Sequence, residues 1–140
     1  VHPNFVKRLF ELEIPEIQDG TIVIKGVSRE AGSRTKIAVQ SRDENVDAIG
    51  SCIGKNGMRI SAILDEIGQE KVDIIKYSDD LAEYVAEALS PAKVLSVEIE
   101  GERSCKITVS PDQLSLAIGK EGQNAKLVAR LTGCKIDIKA

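Results

Sequence analysis

A short glycine-containing string occurs twice in this chain and constrains its fold more than any other feature. Residues 53–57 read IGKNG and residues 118–122 read IGKEG. Each string lies between two apolar helical patterns and is followed by a glycine and a Lys-apolar-Asp-Ile strand, at residues 71–74 and 135–138. One such string would be compatible with an ordinary helical hairpin. Two in the same context indicate a duplicated module whose working part is a glycine-framed cationic loop at a helix N-terminus.

The first copy of the module reads as helix, strand, strand, helix, loop, helix, strand. Pro3 begins a predicted helix with an apolar stripe, and Pro15 ends it. The apolar residues then alternate, which predicts strands at 22–24 and 35–39 joined by a turn at 31–33. A short helix over 46–53 runs into the loop. A second helix over 60–67 ends at Gly68, and a strand over 72–75 closes the unit.

The second copy repeats this order. Asp79 or Asp80 caps a helix that stops before Pro91, strands follow at 95–99 and 105–109, and Ser110 begins the next helix. The helix after the second loop ends at Gly133, and a strand over 134–138 closes the unit. We therefore expect two domains, 1–77 and 78–140. Because only two residues separate them, we also expect the two loops to be held at a fixed spacing.

Charge is unevenly distributed along a chain whose net charge is −3. Residues 79–102 contain seven acidic side chains and a single Lys, Lys93. The segment from Lys120 onward is mainly basic. This polarity allows phosphate binding on one surface and a basic protein partner on another, so a protein-docking module that uses the acidic face is the alternative function.

Enzymatic and metal-binding functions find little support in the composition. The single histidine, His2, is near the terminus, so no catalytic constellation with serine or cysteine can be assembled in the body of the chain. The three cysteines, Cys52, Cys105 and Cys134, form no C-x-x-C pair and lie in apolar patterns. We expect buried thiols, no metal, no cofactor and a reducing cytoplasm.

No apolar run is long enough to span a bilayer, and no signal peptide opens the chain. The first residue is Val1 and not Met, which predicts a fragment of a longer polypeptide. The chain is therefore expected to act as part of a larger cytoplasmic protein without contact to a membrane.

The glycine loop suits a phosphate but fits no nucleotide-binding motif. The free N–H groups and the dipole at a helix N-terminus attract anions, glycines allow close approach, and Lys55 or Lys120 adds charge. A P-loop requires Lys followed by Ser or Thr, whereas Asn56 and Glu121 follow the lysines here. The dinucleotide fingerprint is also absent. A backbone phosphate of a polymer is the remaining candidate.

An apolar-Gly-x-x-Gly string between two helices in this element order resembles a KH module of the bacterial, type II kind. Residues 1–5, 12–17, 88–93 and above all 112–125 (DQLSLAIGKEGQNA) closely resemble the tandem KH region of the NusA family of bacterial transcription factors. The resemblance covers essentially the whole chain. It implies an α+β fold of two type II KH modules, α-β-β-α-α-β each, in which helices pack on one face of a three-stranded sheet.

The resemblance also implies binding of single-stranded RNA, the nascent transcript, in pausing, termination and antitermination. RNA polymerase and other transcription factors would be contacted through the full-length protein, which in this family also has an N-terminal polymerase-binding domain and an S1 domain. Lys135 and the strands at 71–75 and 135–138 would offer groups to base edges. The implied RNA-binding residues are Gly54, Lys55, Asn56, Gly57, Arg59, Gly119, Lys120, Glu121, Gly122, Gln123, Asn124 and Lys135.

Two positions depart from the pattern, and several residues have a structural alternative. Ala125 replaces the apolar residue that Ile60 supplies in the first module, and Cys134 stands where relatives often have Trp, so we expect altered packing or RNA contacts there. The glycines alone would also suit a tight turn, and the lysines would suit an ordinary solvated surface. The sequence is equally compatible with Arg59 contacting RNA and with Arg59 lying on a solvated helix face. It is also equally compatible with Gln123 and Asn124 contacting RNA and with these residues bracing the start of the helix.

Overall fold

The protein, seen in a computed structural model, divides into two units, Val1–Tyr77 and Ser78–Ala140. The structure describes residues 3–30, 32–68 and 70–140. His2 and the Ala31 end of the predicted turn lie outside the described residues. No helix in the described ranges combines the length and the apolar character needed to cross a bilayer.

The first unit contains four helices and three strands in its described part. Their order is α1 (Pro3–Glu13), α2 (Pro15–Gln18), β1 (Ile22–Glu30), β2 (Arg34–Ser41), α3 (Ala48–Ile53), α4 (Met58–Ile67) and β3 (Lys71–Lys76). Both hairpin strands are longer than predicted, and α3 begins two residues later than expected from Val46. The helix pair around the first loop and the closing strand agree with the sequence analysis.

Pro15 has a different role from the one predicted. It ends no helix, because α1 already stops at Glu13, and it is instead the first residue of α2. Proline suits that position since the N–H it lacks has no helical partner there anyway, and its fixed φ is already helical. The result is an elbow between α1 and α2 that places Glu16 near the first glycine loop.

The first sheet has the strand order β1-β2-β3. β1 and β2 form an antiparallel hairpin, with a register shift between Ile24 and Gly26, and β3 joins β2 in parallel. Helices cover one face. The core that they share with the sheet combines buried residues of α1, β1, β2 and the helices that flank the loop, together with Ile14 between α1 and α2. These residues are Val6, Phe10, Ile14, Ile22, Ile37, Val39, Ala48, Cys52 and Ile63.

The second unit repeats the arrangement with shorter strands. Its elements are α5 (Leu81–Ala88), β4 (Ser96–Glu100), β5 (Ser104–Thr108), α6 (Leu114–Ile118), α7 (Gln123–Thr132) and β6 (Lys135–Lys139). The sheet order is β4-β5-β6, again antiparallel and then parallel. The predicted α+β fold of two modules with type II KH element order is therefore confirmed.

Two predicted helix starts in the second unit differ in detail. Asp80 is the residue that caps α5, since its carboxylate accepts a hydrogen bond from the Ala82 N–H at 3.1 Å. Ser110 precedes a single 3₁₀ turn, Pro111–Gln113, rather than α6 itself. Its hydroxyl donates to the Asp112 carboxylate at 2.5 Å. The serine thus orders the turn through this side-chain contact and through its carbonyl, which accepts a hydrogen bond from the Gln113 N–H at 2.9 Å.

Candidate nucleic-acid interface

The backbone conformation and the close approach of the following helix both require glycine at the first position of each loop. Gly54 has φ 80° and ψ 172°, and Gly119 has φ 80° and ψ 168°, a region essentially restricted to glycine. A Cβ on Gly54 would lie 2.7 Å from Cγ of Arg59, and a Cβ on Gly119 would lie 2.7 Å from the backbone nitrogen of Asn124. These glycines therefore let the chain pass directly against the helix that follows.

The third and fourth loop positions are left-handed in both units. Asn56 (φ 57°, ψ 25°) and Glu121 (φ 57°, ψ 27°) adopt the same conformation, as do Gly57 (φ 73°, ψ 15°) and Gly122 (φ 75°, ψ 14°). Asparagine tolerates this region, whereas a glutamate there costs about 1 kcal/mol. The two loops are conformational copies, and the second one carries strain that the first one largely avoids.

Each loop closes on itself through a backbone hydrogen bond. The N–H of Gly57 donates to the Gly54 carbonyl at 3.1 Å, and Gly122 donates to Gly119 at the same distance. The Lys55 and Lys120 side chains are exposed, and neither forms a salt bridge with any residue that the structure describes. Each ammonium group thus stands at the N-terminal side of a ten-residue helix, α4 or α7, and is available to an anion.

Arg59 has partners within the protein. Its Nη1 atom donates to Oε1 of Glu16 at 2.6 Å and to the Ser51 carbonyl at 2.8 Å. The side chain therefore ties α4 to the elbow helix α2 and to α3, and its aliphatic part packs against Gly54. The structure gives Arg59 the geometry of a brace behind the first loop, and direct contact with RNA stays a prediction.

Asn124 occupies the equivalent position in the second unit. Its side chain is 4% exposed, and Nδ2 donates to the carbonyls of Ala117 at 2.9 Å and Leu89 at 3.2 Å. The bonds join α7 to α6 and to the end of α5. Of the two alternatives left open by the sequence, the structure gives this amide the bracing contacts. Two different side chains, a guanidinium and an amide, hold the two loops from behind.

The remaining predicted residues lie around the loops in different ways. Gln123 is half-buried at the first position of α7. Lys135 is exposed at the start of β6, where its N–H donates to the Arg103 carbonyl at 2.7 Å. Within the described ranges, β3 and β6 each have one neighbour in the sheet, so each leaves one backbone edge open. The backbone N–H and C=O groups along these edges are the ones predicted from the sequence to face RNA bases.

A cleft beside the first loop contains residues that the sequence analysis did not select. It is about 400 Å³ in volume and is lined by Glu13, Lys55, Met58, Arg59 and Ala62. Met58, which directly follows the loop, is 69% exposed. A methionine on the polar side of a helix, next to a glycine loop, is the signal that could have identified it. The cleft offers an apolar surface beside the lysine.

A buried charged network holds the hairpin of the first unit and was also missed. Glu70, 3% exposed, accepts hydrogen bonds from Arg29 Nε at 3.0 Å and from the Gly32 N–H at 2.9 Å, and the Thr35 hydroxyl is a further donor. Burial alone would raise the pKa of Glu70, but the hydrogen bonds from Arg29, Thr35 and Gly32 outweigh it and lower that pKa. The network therefore stabilises the ionised carboxylate.

Lys36 is a second buried charge on the same sheet. Its ammonium lies 2.9 Å from Oδ2 of Asp73, which also pairs with Arg34 at 2.9 Å. Burial lowers the pKa of Lys36, and the Asp73 carboxylate partly opposes that shift. These ion pairs position β2 against β3, the strand with the open edge.

The cysteines are buried, as predicted. Burial raises the pKa of Cys52 to about 12, and burial together with the nearby Cys134 raises that of Cys105 to about 11. Cys134, in place of the expected Trp, is 5% exposed, with its sulfur 3.7 Å from the Thr132 carbonyl. Over the described ranges, no group of His, Cys, Asp and Glu is arranged to hold a metal ion.

Comparison with known families and proteins gives matches over the whole chain. Residues 1–77 match the family described as NusA-like first KH domain, and residues 81–140 match the NusA-like second KH domain. The chain is 56% identical over 140 residues to the transcription termination/antitermination protein NusA of Bacillus subtilis (strain 168), covering 99% of this chain and 38% of that protein.

Two further relatives carry the same name. The protein of Halalkalibacterium halodurans is 54% identical, with 99% of this chain and 37% of the relative covered. That of Mycobacterium tuberculosis (strain ATCC 25618 / H37Rv) is 55% identical, with 99% and 40% covered. The chain thus spans about two fifths of the length of these relatives.

A solved structure shares the fold at low sequence identity. The crystal structure of APE1850 superposes with a TM-score of 0.68 at 23% identity, covering 98% of this chain and 97% of that one. The likeness supports the architecture of the chain and carries no argument about its ligand.

Proposed function

Because this chain belongs to the family of NusA-like KH domains, we propose that it is a non-enzymatic platform for single-stranded RNA in which each glycine loop grips the sugar-phosphate backbone. Lys55 and Lys120 supply the charge, and the loop glycines allow the backbone to approach. Asn56 and Glu121 shape the loops, Arg59 and Asn124 hold the helix starts in place, and Gln123 contacts the RNA beside the second loop.

One observation carries this proposal. The two loops share the same left-handed backbone conformation and place an exposed lysine at the same position before a ten-residue helix. A helix N-terminus attracts anions through its N–H groups and dipole, and an unpaired lysine adds to that attraction. Repetition of the whole arrangement in two units is hard to explain by a need for tight turns alone.

Bases are read beside the loops in this proposal. The open edges of β3 and β6 offer N–H and C=O groups, and the start of β6 carries Lys135. Aromatic platforms contribute little, because the chain has only two Phe and two Tyr. The apolar part of the binding surface comes from residues such as Ile53, which is 38% exposed at the end of α3.

Two loops on one chain strengthen binding by effective concentration. Once one loop holds an RNA strand, the second encounters the same strand at a high local concentration, so that two weak contacts give a tight complex. We propose a nascent transcript as the RNA, since the relatives are named as transcription termination and antitermination proteins. Contacts with RNA polymerase and other factors would then belong to the longer cytoplasmic protein.

Charge reversal within the loops tests the proposal. The variants are Lys55→Asp with Asn56→Asp in the first loop, Lys120→Asp in the second, and the triple change. Labelled single-stranded RNA of mixed sequence should bind each loop variant at least about tenfold more weakly and the triple variant far more weakly. Unfolding curves monitor the fold.

Lys7→Asp is the matched control, because Lys7 is an exposed lysine on α1 and the substitution changes the charge by the same amount as Lys120→Asp. It should change the RNA affinity by less than about threefold. If the folded triple variant binds RNA as the unmodified chain does, the loops are not the RNA-binding site.

A further inference from the structure

β4, one of the two outer strands of the second sheet, has an open edge. In the part of the chain that the structure describes, β4 is paired with β5 on one side only. Alternate residues of a strand at the edge of an antiparallel sheet direct their N–H and C=O groups away from the sheet. The edge therefore offers hydrogen bonds to another extended chain.

The side chains along this edge are unusually accessible. Leu95 is 68% exposed and Ile99 is 40% exposed, and Ser96, Glu98 and Glu100 are also exposed. The equivalent strand of the first unit differs. β1 is mostly covered and is interrupted by the register shift at Ile24 and Gly26, a feature that discourages pairing. Of the two outer hairpin strands in the described ranges, β4 is thus the more accessible.

The two faces of β4 differ in chemistry. Glu98 and Glu100 lie opposite Lys106 and Ser104 on β5, whereas Val97 and Ile99 lie opposite Ile107 and Cys105. Successive side chains of a strand point to opposite faces, so an acidic row lies on one face and an apolar row on the other. Leu95 extends the apolar row.

The acidic row faces one basic side chain on β5, Lys106, and the next basic side chains on that face, Lys135 and Lys139, lie two strands away on β6. Lys106 pairs with Glu100 at 3.1 Å, and Glu102 continues the negative charge into the turn. The Glu100 carboxylate, and to a smaller extent Glu98 and Asp137, raise the pKa of Lys106, which is the effect expected of nearby negative charge. The negative charge next to the open edge therefore favours a basic partner over a polyanion such as RNA.

A second copy of the chain is also a poor occupant. Pairing of two β4 edges would set the Glu98 and Glu100 side chains of one copy close to those of the other, and like charges on neighbouring strands are destabilising. A partner that complements both rows needs basic residues over the glutamates and apolar residues over Leu95, Val97 and Ile99.

We propose that the β4 edge binds an extended segment of a partner protein in which Lys or Arg alternates with apolar residues, added to the sheet as a fourth strand. In this mode the backbone hydrogen bonds provide affinity and the alternating side chains provide specificity. The site is separate from the glycine loops, so the inference does not depend on RNA binding.

Three labelled hexapeptides probe the edge on the complete chain. The first has the alternating sequence KVRIKV. The second, KRKVIV, has the same composition in blocks. The third is the alternating peptide with N-methyl groups on every second amide, on the side that would face β4, which removes its donors while keeping its charge. We expect the alternating peptide to bind at least about tenfold more tightly than the other two.

Charge reversal identifies the site on the protein. Glu98→Lys with Glu100→Lys should weaken the alternating peptide at least about tenfold, whereas Asp65→Lys with Glu66→Lys, exposed residues of α4, should change its affinity less than about threefold. Backbone amides of β4 should gain protection from hydrogen exchange when the peptide binds. RNA affinity should not fall in the β4 variant.

Several results would overturn the proposal. Equal binding of the alternating and block peptides, or no effect of N-methylation, would reduce the interaction to charge attraction without strand addition. Absence of peptide binding would leave the glutamates the role of protecting an exposed edge from aggregation. Concentration-dependent dimerisation abolished by the β4 variant would identify a second copy as the occupant. Weaker RNA binding by that variant would assign the edge to RNA.

Discussion

Arg59 pairs with Glu16 behind the first glycine loop, with 2.6 Å between Nη1 and Oε1. The same nitrogen also donates to the Ser51 carbonyl at 2.8 Å. One side chain therefore links α2, α3 and α4 at the point where the loop leaves α3. The equivalent residue of the second unit, Asn124, links α5, α6 and α7 through neutral hydrogen bonds. Loop geometry in each unit thus depends on a residue five positions after the first glycine.

Removal of Glu16 distinguishes bracing from direct contact by Arg59. Glu16→Ala frees the guanidinium from its partner while leaving it in place. As a brace, Arg59 loses order in this variant, and RNA affinity should fall by about threefold, with a loss of about 1 kcal/mol in unfolding free energy. RNA titration and urea unfolding measure the two effects.

If Arg59 instead contacts RNA directly, the RNA affinity of Glu16→Ala should rise rather than fall. A guanidinium released from a carboxylate is a better ligand for phosphate, so RNA would then bind more tightly to Glu16→Ala. Arg59→Ala provides the reference for complete loss of the side chain, and Glu13→Ala, an exposed residue of the same cleft, controls for removal of one negative charge.

Giving each loop the third residue of the other loop should change the unfolding free energy and the RNA affinity in opposite directions in the two loops. Glu121→Asn removes both a strained left-handed glutamate and a negative charge next to the proposed phosphate site. Unfolding free energy should rise by about 0.5–1 kcal/mol, and RNA should bind more tightly. Asn56→Glu should have the reverse effect in the first loop. Thermal unfolding and RNA titration of both variants check this, and shifts of the same sign in the two variants would contradict it.

The sequence predicted the loops, the element order and the buried cysteines, because these depend on local patterns. Glycine spacing, helical periodicity and alternating strands are visible within a few residues. The contacts that hold the site together are not local. Glu16 and Arg59 are 43 residues apart, and Arg29 and Glu70 are 41 apart. The elbow helix α2 is only four residues long, too short for a periodic signal, so the prediction that Pro15 ends a helix was wrong.

Acid should destabilise the first unit through Glu70. Hydrogen bonds lower the folded-state pKa of this carboxyl below its unfolded value of about 4.3, so its stabilisation is fully present above that value and is lost as the pH falls through the lowered pKa. Glu70→Gln should cost about 3 kcal/mol at a pH of about 7 and should flatten the acid limb of the stability curve. Urea unfolding between pH values of about 2 and 7 measures this.

Glu66→Gln, a change of the same kind at an exposed position of α4, is the control for Glu70→Gln. It should leave both the stability and its acid dependence nearly unchanged. Parallel stability curves for Glu70→Gln and the unmodified chain would show that the network does not hold the carboxylate ionised.

Thiol reactivity should be suppressed in the folded chain. Cys52 and Cys105 have pKa values of about 12 and about 11, so hardly any thiolate is present at neutral pH, and all three cysteines are buried. Reaction with a thiol-specific disulfide reagent should be at least about 100-fold slower than in denaturant. A cysteine that reacts in the folded protein as fast as in denaturant would contradict the buried assignment.

The salt dependence of RNA binding is the most direct test of the two-loop grip. Each lysine that neutralises a phosphate of a single strand should contribute about 0.7 to the slope of log affinity against log salt concentration. Lys55→Gln with Lys120→Gln removes both charges without adding negative ones. Measured between about 50 and 200 mM salt, the slope should therefore fall by about 1.4 relative to the unmodified chain. An unchanged slope in the folded double variant would show that neither lysine contacts a phosphate and would contradict the grip.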